Sequence, residues 1–425
     1  MAPAPRPSAL RPFTSRRYAA PLAALALLSA TVLLSGCGSF FSCEGKASCP
    51  CASGVTSTTT NPCSGGSGGS GSSTDDFAYI ANSSSSTTSI DAYDIGSGAL
   101  TAVSGSPFSL GYSPVSMVVN PKDTFLYAAS DPASSTGAIY GYTVSSTGVL
   151  SKLGTGSPQI TENDAALAVS PDGNWLLSLP DAGLINVYSL NTSTGAAGAS
   201  TASSYSLSAA TTGTLSPVGL AIAPGGLYVA AALETGGANV FSFNTSTGAP
   251  PSGQSVVLIS PGASTNGIYA LAFDSNNYLY CATTNGLQVF SVASGPTATA
   301  VGSAYTLGTA PRSIAIANTT TNSVTSPAYV YVGNEGDSTI SAFSIGTSGA
   351  LTAISGSPFP GPNAVNSVAI DSTGKYLIAS GYDTTAGTAT GIQLFTIGTG
   401  GVLTSAATGD TGTSNNIPGA IAVTH

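Results

Sequence analysis

A pattern of about 50 residues repeats seven times between Phe77 and His425, and this repetition constrains the fold more than any other sequence feature. Each copy contains an apolar strand, a polar turn, an alternating strand, a Gly-rich turn, a third strand, a loop and a strand of small residues. The first strands start 47 to 52 residues apart, at Phe77, Leu126, Trp175, Leu227, Tyr278, Tyr329 and Tyr376. Four-stranded units of this period are typical of β-propeller blades.

Two copies preserve the duplication almost intact. Gly98–Phe108 reads GALTAVSGSPF and Gly349–Phe359 reads GALTAISGSPF, so only Val103 and Ile354 differ. The fourth strand of each copy is rich in Ala, Val, Ile and Gly. Small side chains suit the innermost strand of a blade, where the sheets converge on a central channel, whereas β-branched and aromatic strands suit the packing between blades.

The ends of the repeat region predict how the ring closes. The region begins at Phe77 without an innermost strand and ends with an isolated one, Ala420–Val423. If this last strand completes the first blade, no sheet edge stays open to aggregation at the junction. The alternative, a set of separate β-sandwiches, would explain neither the missing innermost strand at Phe77 nor the isolated strand Ala420–Val423. The sequence therefore predicts an all-β fold, a seven-bladed β-propeller of four-stranded antiparallel blades in which the C-terminal strand completes the first blade.

Residues 1–36 have the pattern of an export signal. A basic stretch precedes Ala19–Leu34, an apolar run that is short for a membrane span of about 20 residues. The sequence Leu34-Ser35-Gly36-Cys37 resembles the lipobox of bacterial lipoproteins. This resemblance implies cleavage before Cys37 and a lipid on its thiol, so that the membrane is a partner and the chain is exported and lipid-anchored to a bacterial membrane. Gly38 in place of Asp favours the outer membrane or cell surface; an ordinary cleaved signal is the alternative.

Residues 37–76 are predicted to be a tether between this anchor and the propeller, residues 77–425. Four further cysteines lie in it: Cys43, Cys49, Cys51 and Cys63. In an exported chain they most simply form two disulfides, with three connectivities open. A four-thiolate zinc site is the alternative, but the spacing lacks the paired C-x2-C of such sites. The SGGSGGSGSS segment at 64–73 is typical of a flexible linker.

The charge balance excludes one class of partner. Only 6% of residues are charged, and removal of residues 1–36 leaves five cations against 18 acidic residues. Because nucleic-acid binding requires clustered Lys and Arg, no nucleic acid is expected as a partner. The sequence contains no phosphate-binding loop, nucleophile elbow or His-rich set, so no cofactor and no metal are expected. We also expect a monomer.

Blade strands are labelled A to D from the channel outward. The D-to-A and B-to-C loops of a propeller share one face, around the channel mouth, and most charged and amide side chains fall there: Asp131, Glu162, Asn163, Asp164, Asp181, Glu234, Asn266, Arg312, Glu335, Asp337, Asn363, Asn366, Asp383, Asn415 and Asn416. The opposite face receives tight turns at Asn120, Ser170, Ala223, Asp274 and Asp371. Turn geometry alone explains the Asp, Asn, Pro and Gly residues of those turns.

Arg312 is the only cation in the mouth-side loops, and it precedes an innermost strand. The planar guanidinium of Arg312 can bind the carboxylate or phosphate of a ligand, or it can form an internal ion pair with Glu162 or Asp164. Both options stay open. The candidate ligand-binding residues are Asn163, Asn266, Asn363, Asn366 and Glu335. The sole histidine, His425, follows the closing strand and is a poor candidate base. Cys281 lies in a B strand and is predicted to be a buried, inert thiol.

The B strands such as LYVAAA and YVYVGN, the SPDG turn at Ser170 and the GALT segments resemble the lactonase-type seven-bladed propellers, which include 6-phosphogluconolactonase-like and YVTN-repeat-like proteins. The resemblance covers Phe77–His425. For lactone hydrolysis it implies His, Arg and carboxylate side chains near the channel mouth. Because the only histidine here is His425, Glu162 or Asp164 would replace it as the base, with Arg312 as oxyanion partner. Two functions are therefore predicted: a binding or scaffolding module for a small molecule, glycan or protein at the channel mouth, and a lactone hydrolase that opens sugar lactones.

Overall fold

A computed structural model describes residues 76–425 except 84–87, 131–136, 156–157, 163, 181–182, 201–203, 211–213, 250–255, 263–265, 322–323, 383–390 and 410–416. Residues 71–425 form one compact unit. The export signal, the lipidation site at Cys37, the tether and its four cysteines lie outside the described residues. Within the described part of the chain, no helix has the length and apolar character needed to cross a membrane.

The described residues form β-strands and two short 3-10 segments, Thr347–Gly349 and Thr399–Gly401. The strands are β1 (Phe77–Ser83), β2 (Thr88–Asp94), β3 (Thr101–Ala102), β4 (Phe108–Ser109), β5 (Pro114–Val119), β6 (Phe125–Ser130), β7 (Ile139–Val144), β8 (Leu150–Lys152), β9 (Asp164–Val169), β10 (Trp175–Pro180), β11 (Leu184–Leu190), β12 (Ala197–Ser200), β13 (Tyr205–Ser206), β14 (Gly219–Ile222), β15 (Tyr228–Ala232), β16 (Ala238–Ser242), β17 (Val257–Ile259), β18 (Ile268–Phe273), β19 (Tyr278–Thr283), β20 (Gly286–Ala293), β21 (Thr297–Tyr305), β22 (Pro311–Thr321), β23 (Val324–Asn334), β24 (Thr339–Ile345), β25 (Leu351–Ala353), β26 (Phe359–Pro360), β27 (Ser367–Ile370), β28 (Tyr376–Ser380), β29 (Ile392–Ile397), β30 (Leu403–Gly409) and β31 (Ile417–Val423).

These strands form seven antiparallel sheets, which confirms the predicted seven-bladed propeller. Counted outward from strand A, blade 2 is β5 to β8, blade 3 is β9 to β12, blade 4 is β14 to β17, blade 5 is β18 to β21, blade 6 is β22 to β25, and blade 7 is β27 to β30. Blade 1 is β31, β1, β2 and β3. The short strands β4, β13 and β26 make a second pairing with strand C of blades 1, 3 and 6.

The innermost strands follow one another around a closed ring. Strands β5, β9, β14, β18, β22, β27 and β31 contact their neighbours in this order, and β31 contacts β5. The core lies between the blades; for example, Leu177 and Leu179 of blade 3 pack with Val229 and Phe241 of blade 4. Each such fully buried side chain stabilises the fold by roughly 1.5 to 3 kcal/mol, so the seams between blades carry the stability of the ring.

The C-terminal strand closes the ring as the half-repeats predict. Strand β31 pairs antiparallel with β1, with Tyr79 opposite Ala422 and Ile80 opposite Ile421. Beyond the paired strands, the backbone N–H of Phe77 donates to Thr424 Oγ1 at 2.8 Å, and the N–H of Thr424 donates to the Phe77 carbonyl at 3.0 Å. Blade 1 is therefore built from both ends of the propeller.

The two nearly identical GALT segments adopt the same local structure. Ser106 Oγ accepts a hydrogen bond from the N–H of Ala92 at 2.9 Å, and Ser357 Oγ accepts one from the N–H of Ala342 at 2.8 Å. Each segment contributes two short strands to the outer edge of its blade. The sequence duplication is therefore a structural duplication as well.

Strand B of several blades is fastened to the outer hairpin of the next blade by a repeated contact. The hydroxyls of Tyr79, Tyr127 and Tyr331 donate to glycine carbonyls at 2.9, 2.8 and 2.8 Å. At Gly401, one of these glycines, φ is +80° and a Cβ would lie 2.6 Å from the ring of Tyr329. Glycine is required there because both the backbone conformation and the aromatic neighbour exclude a side chain.

Candidate functional site

A cleft of about 570 Å³ opens between blades 5 and 6 on the face predicted to carry the channel mouth. Its walls come from three elements: Tyr269 of strand β18, residues 284–286 at the β19–β20 turn, and residues 306–312 where the chain passes from β21 into β22. These are an innermost strand, a B-to-C turn and a D-to-A connection. The cleft therefore lies among the types of loop that the sequence analysis assigned to the channel-mouth face.

Arg312 lines this cleft from a β-bulge. Pro311 pairs with Asn334 and Ser313 pairs with Gly333, so Arg312 is an extra residue in β22. Bulges of this kind re-aim a side chain out of the regular alternation of a strand and are frequent beside active sites. The Cζ atom of Arg312 lies 5.7 Å from the centroid of the Tyr269 ring, which is a cation–π contact.

The guanidinium of Arg312 makes one salt bridge. Its Nε donates to Glu335 Oε2 at 2.6 Å, and both side chains are 41% exposed. A half-exposed pair of this kind is worth at most about 1 kcal/mol, so its contribution to the fold is small. Among the described residues no acceptor for the two Nη groups of Arg312 is found. The two Nη groups of the Arg312 guanidinium are therefore available to a ligand.

Arg312 does not form the ion pair predicted with Glu162. The Glu162 carboxylate accepts hydrogen bonds from Ser178 Oγ at 2.9 Å, from the Tyr188 hydroxyl at 2.6 Å and from the Asn186 side-chain amide, all in blade 3. That prediction is wrong for a simple reason. Within one blade the start of strand A pairs with the end of strand B, so Glu335 of the same blade lies nearer to Arg312 than any residue of blade 3.

Asp164 also belongs to blade 3. Its backbone is part of β9 and pairs with Pro180 of β10. Arg312 is in blade 6, so the three residues predicted as catalytic lie in two different blades. Their catalytic role stays a prediction, and the acidic group that the fold brings beside Arg312 is Glu335.

The 306–310 wall of the cleft is fastened to blade 6. The N–H of Gly308 donates to Ser341 Oγ at 3.2 Å, and the N–H of Thr309 donates to Asp337 Oδ2 at 2.9 Å. The N–H of Glu335 donates to the carbonyl of Ala310 at 2.9 Å. A Cβ at position 308 would lie 2.5 Å from Asp337 Oδ2, so a larger residue there would displace the Asp337 carboxylate. The wall is therefore held in place before any ligand arrives.

The predicted amides lie in mouth-side loops but outside the walls of this cleft. Asn266 Nδ2 donates to the Pro261 carbonyl at 3.4 Å, and Asn363 Oδ1 accepts from Ser338 Oγ at 3.4 Å. The backbone N–H of Asn366 donates to the Ser380 carbonyl at 2.9 Å. Several other residues predicted for this face lie outside the described residues: Asp131, Asn163, Asp181, Asp383, Asn415 and Asn416.

The opposite face carries turns whose polar residues cap the backbone. Asn120 Oδ1 accepts from the N–H of Phe125 at 2.8 Å, Asp274 Oδ1 from Tyr278 at 2.9 Å, and Asp371 Oδ1 from Tyr376 at 2.7 Å. The Ser170 hydroxyl accepts from the N–H of Trp175 at 3.0 Å in the same manner. Each acceptor fixes the first residue of a B strand, which confirms that these turns are structural.

His425 lies on this opposite face. Its backbone N–H and its Nδ1 contact Asp123 Oδ1 at 2.8 and 3.2 Å, and Asp123 belongs to the β5–β6 turn. The histidine side chain is 61% exposed. The only histidine of the chain is therefore far from the cleft in the fold, which supports the prediction that it is not a catalytic base there.

Cys281 is completely buried in β19, and burial raises the pKa of its thiol to about 12. The predicted burial of this thiol is confirmed. Among the described residues no three His, Cys, Asp or Glu side chains lie close enough together to hold a metal ion.

Sequence reasoning did not single out Tyr269, Thr284 or Thr309, although all three line the cleft. Tyr269 carried a signal that could have been used. It is one of two aromatic residues in IYALAF, and it stands at a position where the other innermost strands have small, aliphatic or polar residues. Thr284 and Thr309 gave no comparable sequence signal, because Thr is common throughout the chain.

Fold and site together define a seven-bladed propeller with a ligand-sized cleft at the mouth-side face. A model of the family described as "Lactonase, 7-bladed beta-propeller" matches residues 71–365, more than half of the chain. The protein belongs to this family. A WD domain, G-beta repeat model also matches residues 353–386, a blade-sized segment. A comparison with curated proteins finds no match.

Solved structures show the same fold. A candidate 6-phosphogluconolactonase from Bacteroides uniformis has a TM-score of 0.62 at 20% identity, with 82% of this chain and 99% of that chain covered. Another from Bacteroides fragilis has a TM-score of 0.60 at 16% identity, covering 84% and 100%. The periplasmic gluconolactonase of Pseudomonas aeruginosa has a TM-score of 0.57 at 14% identity, covering 82% and 99%. At these identities the likeness concerns the fold alone.

Proposed function

We propose that this propeller is a binding module for a small molecule with an anionic group, taken up in the cleft between blades 5 and 6. The observation that carries the proposal is the position of Arg312: a half-exposed guanidinium, held by Glu335 and Tyr269, borders a cleft of about 570 Å³. Pockets of this size suit small organic ligands. A planar guanidinium with its Nη edge open binds carboxylates in a bidentate manner.

The charge of the chain supports a small ligand rather than a polyanion. Residues 37–425 carry five cations against 18 acidic groups. A polymer with many phosphates or sulfates would meet repulsion over most of this surface, whereas a single carboxylate needs only one cation. The fastened wall at 306–310 adds to affinity, because little ordering is left to occur on binding.

The test is calorimetric titration of the purified full-length protein with a panel of monocarboxylates. Arg312→Gln should weaken binding about tenfold or more, since a hydrogen bond to a charged group contributes about 1.5 to 3 kcal/mol. Lys375→Gln is the matched control, because it removes the same charge from an exposed turn on the opposite face. Equal loss in both variants, or no carboxylate binding in the wild type, would overturn the proposal.

Lactone hydrolysis is the second candidate, and membership of the lactonase propeller family favours it. Attack of water on a lactone carbonyl needs a base for the water and a donor for the developing oxyanion. Arg312 is the proposed oxyanion partner. Glu335 is a better-placed base than Glu162 or Asp164, because it lies in the same blade as Arg312. The assay is proton release from aldonolactones with wild type, Arg312→Gln and Lys375→Gln. Hydrolysis at the buffer rate by all three would exclude this activity for those substrates.

We further propose that the protein works outside the cytoplasm, held to a bacterial membrane by lipid on Cys37. The support is the LSGC sequence directly after an export signal. Each CH₂ of an acyl chain that enters the membrane contributes about 0.8 kcal/mol to binding, so two or more chains give stable anchoring. The SGGSGGSGSS linker then lets the cleft meet small molecules near the surface.

A further inference from the structure

A second pocket, of about 250 Å³, lies at the outer edge of the seam between blades 1 and 2. One wall is the end of the GALT segment with strand β4 of blade 1, and the other comes from strands β7 and β8 of blade 2. We call it the rim pocket, and its walls include Pro107, Phe108, Leu110, Tyr142, Leu150 and Lys152. It shares no residue with the cleft between blades 5 and 6, so it is a separate site.

Strand register directs the Lys152 side chain into this seam. Tyr142 and Lys152 are direct partners in the pairing of β7 with β8, and such partners project from the same face of a sheet. Tyr142 is 2% exposed and packs in the core between blades 1 and 2. Lys152 therefore leaves blade 2 on the side that faces blade 1.

Lys152 is the one charged residue among the described residues that line the rim pocket. No ion pair of Lys152 is found in the described part of the chain. The walls around it are mainly apolar: Phe108 and Leu110 pack against the core, and Leu150 is buried. An unpaired ammonium beside apolar walls suits a ligand that joins an anionic group to an apolar body.

Both walls are held in place without a ligand. The N–H of Leu110 donates to the Thr88 carbonyl at 2.9 Å, and the Thr88 hydroxyl donates to the Leu110 carbonyl at 3.0 Å. On the other side, the hydroxyls of Tyr142 and Tyr112 form a hydrogen bond of 2.7 Å. Little ordering is therefore left to occur on binding, which favours affinity.

The duplicated seam between blades 6 and 7 lacks the cation. By strand pairing, Ser405 occupies the position of Lys152. Phe359, the aromatic residue of the second GALT segment, is buried there, whereas its counterpart Phe108 is only partly buried. The charge and the partly open aromatic wall therefore belong to one of the two copies, so the repeated blade structure does not require them.

We infer that the rim pocket binds a monocarboxylate with an apolar body of about one ring, the carboxylate at Lys152 and the ring against Phe108 and Leu150. The volume of about 250 Å³ is below that of most sites for drug-sized molecules, which limits the ligand to this size. A dianion is disfavoured, because residues 37–425 carry five cations against 18 acidic groups. The inference goes beyond the proposed function and does not depend on it.

Ligand-observed fluorine NMR of the purified full-length protein tests this site. The probes are para-fluorohydrocinnamate and para-fluorohydrocinnamyl alcohol, which share the ring and the arm but differ in charge. Both are titrated against Arg312→Gln, in which the cleft between blades 5 and 6 has lost its cation. We expect the acid to bind about fivefold more tightly than the alcohol, the factor typical of a partly exposed ion pair. Fluoroacetate, which has the charge without the ring, should not bind measurably.

Addition of Lys152→Gln should remove the preference for the acid and leave the affinity for the alcohol unchanged. Lys122→Gln is the matched control, because it removes the same charge from an exposed turn of the same blade. Since both lysines are exposed, the thermal unfolding curves should coincide with that of the Arg312→Gln parent, and they serve as the folding control.

Three results would overturn the inference. The first is an equal effect of Lys152→Gln and Lys122→Gln on the preference for the acid. The second is an acid that binds the wild type but not Arg312→Gln, because its site would then be the cleft between blades 5 and 6. The third is fluoroacetate that binds as tightly as the ring acid, since the apolar walls would then play no part. Failure of the proposed function at Arg312 would leave all these measurements interpretable.

Discussion

At the scale of the residue, burial sets the ionisation of the carboxyl group that joins the first blade to the last. Asp76 is only 5% exposed, and Ser372 donates both its backbone N–H and its hydroxyl to the Asp76 carboxylate at 2.9 to 3.0 Å. Desolvation raises the pKa of Asp76 above its usual value, while the hydrogen bonds from Ser372 lower the pKa by less.

Asp76→Asn tests this balance. With a raised pKa, the folded protein binds a proton at a higher pH than the unfolded chain, so stability from this position increases as pH falls toward the usual aspartate range. Wild type should therefore gain stability relative to Asp76→Asn between pH 7 and about pH 4 in urea unfolding. Ser372→Ala should make this gain larger. A wild-type advantage that shrinks on acidification would show that the hydrogen bonds outweigh burial.

Cys281 gives a second prediction at this scale. Burial raises the pKa of the thiol to about 12, so the reactive thiolate is scarce at neutral pH and the sulfur is inaccessible. Iodoacetamide should leave Cys281 unmodified in the native protein and alkylate it in concentrated urea. Mass spectrometry of the peptide that contains residue 281 distinguishes it from the other cysteines. Rapid native alkylation would contradict the burial.

At the scale of the element, glycines in the outer hairpins join the blades. Gly401 lies against Tyr329, whereas a Cβ at Gly295, in the corresponding turn of blade 5, would meet no atom within 4 Å. The preceding blade also has an aromatic residue at the start of strand B, Tyr228, but its ring stacks with Phe273 of strand β18. The seam between blades 4 and 5 is therefore built without this contact.

Gly401→Ala and Gly295→Ala form a matched pair. Both glycines have positive φ, +80° and +108°, so both alanines carry backbone strain of about 1 kcal/mol or more. Only Gly401→Ala also collides with an aromatic ring. Its loss of unfolding free energy should exceed that of Gly295→Ala by about 1 to 3 kcal/mol in chemical denaturation. Equal losses would mean that the glycine–aromatic contact is not specific.

The closing strand is the other element with a clear consequence. Deletion of residues 417–425 removes strand β31 and leaves the edge of β1 and the neighbouring innermost strands uncovered. We expect aggregation or loss of the cooperative transition, measured by light scattering and thermal unfolding. Deletion of His425 alone is the control, because it removes only the exposed contact with Asp123. A nine-residue truncation that melts like the full chain would contradict the closure.

At the scale of the whole molecule, the predicted lipid anchor and the propeller are separate parts of one chain. Cys37→Ser should block lipid attachment while the propeller folds unchanged, because residues 71–425 form a compact unit without Cys37. Metabolic labelling with a radioactive fatty acid should mark the wild type and not the variant. The variant should also leave the membrane fraction. Equal labelling of both proteins would show that Cys37 is not the acylated residue.

Much of this molecule is readable from its sequence. The number of blades and the closure by Ala420–Val423 follow from periodicity, because each blade repeats the same local pattern. The predicted starts at Phe77, Trp175, Tyr278 and Tyr376 match the strands, whereas those at Leu126 and Leu227 are one residue off. Strand ends are less predictable. Strand β23 begins at Val324, five residues before Tyr329, because β22 and β23 extend into a hairpin that pairs Thr321 with Val324. This extension is polar and has no apolar signal.

The site is less accessible to sequence reasoning. The sequence assigns Arg312 to the mouth-side loops, where it lines the cleft, but it suggests an ion pair of Arg312 with Glu162 or Asp164, since chain position alone does not rank acidic loops by distance. The pairing of Pro311 with Asn334 places Glu335 beside Arg312, and this depends on register. Tyr269 stands out in its strand by residue type, but its contact with Arg312 depends on how two neighbouring blades align, and the sequence does not give that alignment.

The hydrogen bond between Phe77 and Thr424 joins residues 347 positions apart. During synthesis the first blade therefore gains its inner strand only after strand β31 has left the ribosome. Throughout that interval its edge is open to other nascent chains, so the protein should need chaperone protection in proportion to translation time. Contacts of such sequence separation also slow folding. Ring closure thus pairs both end strands of the propeller, but it makes completion of the fold slow.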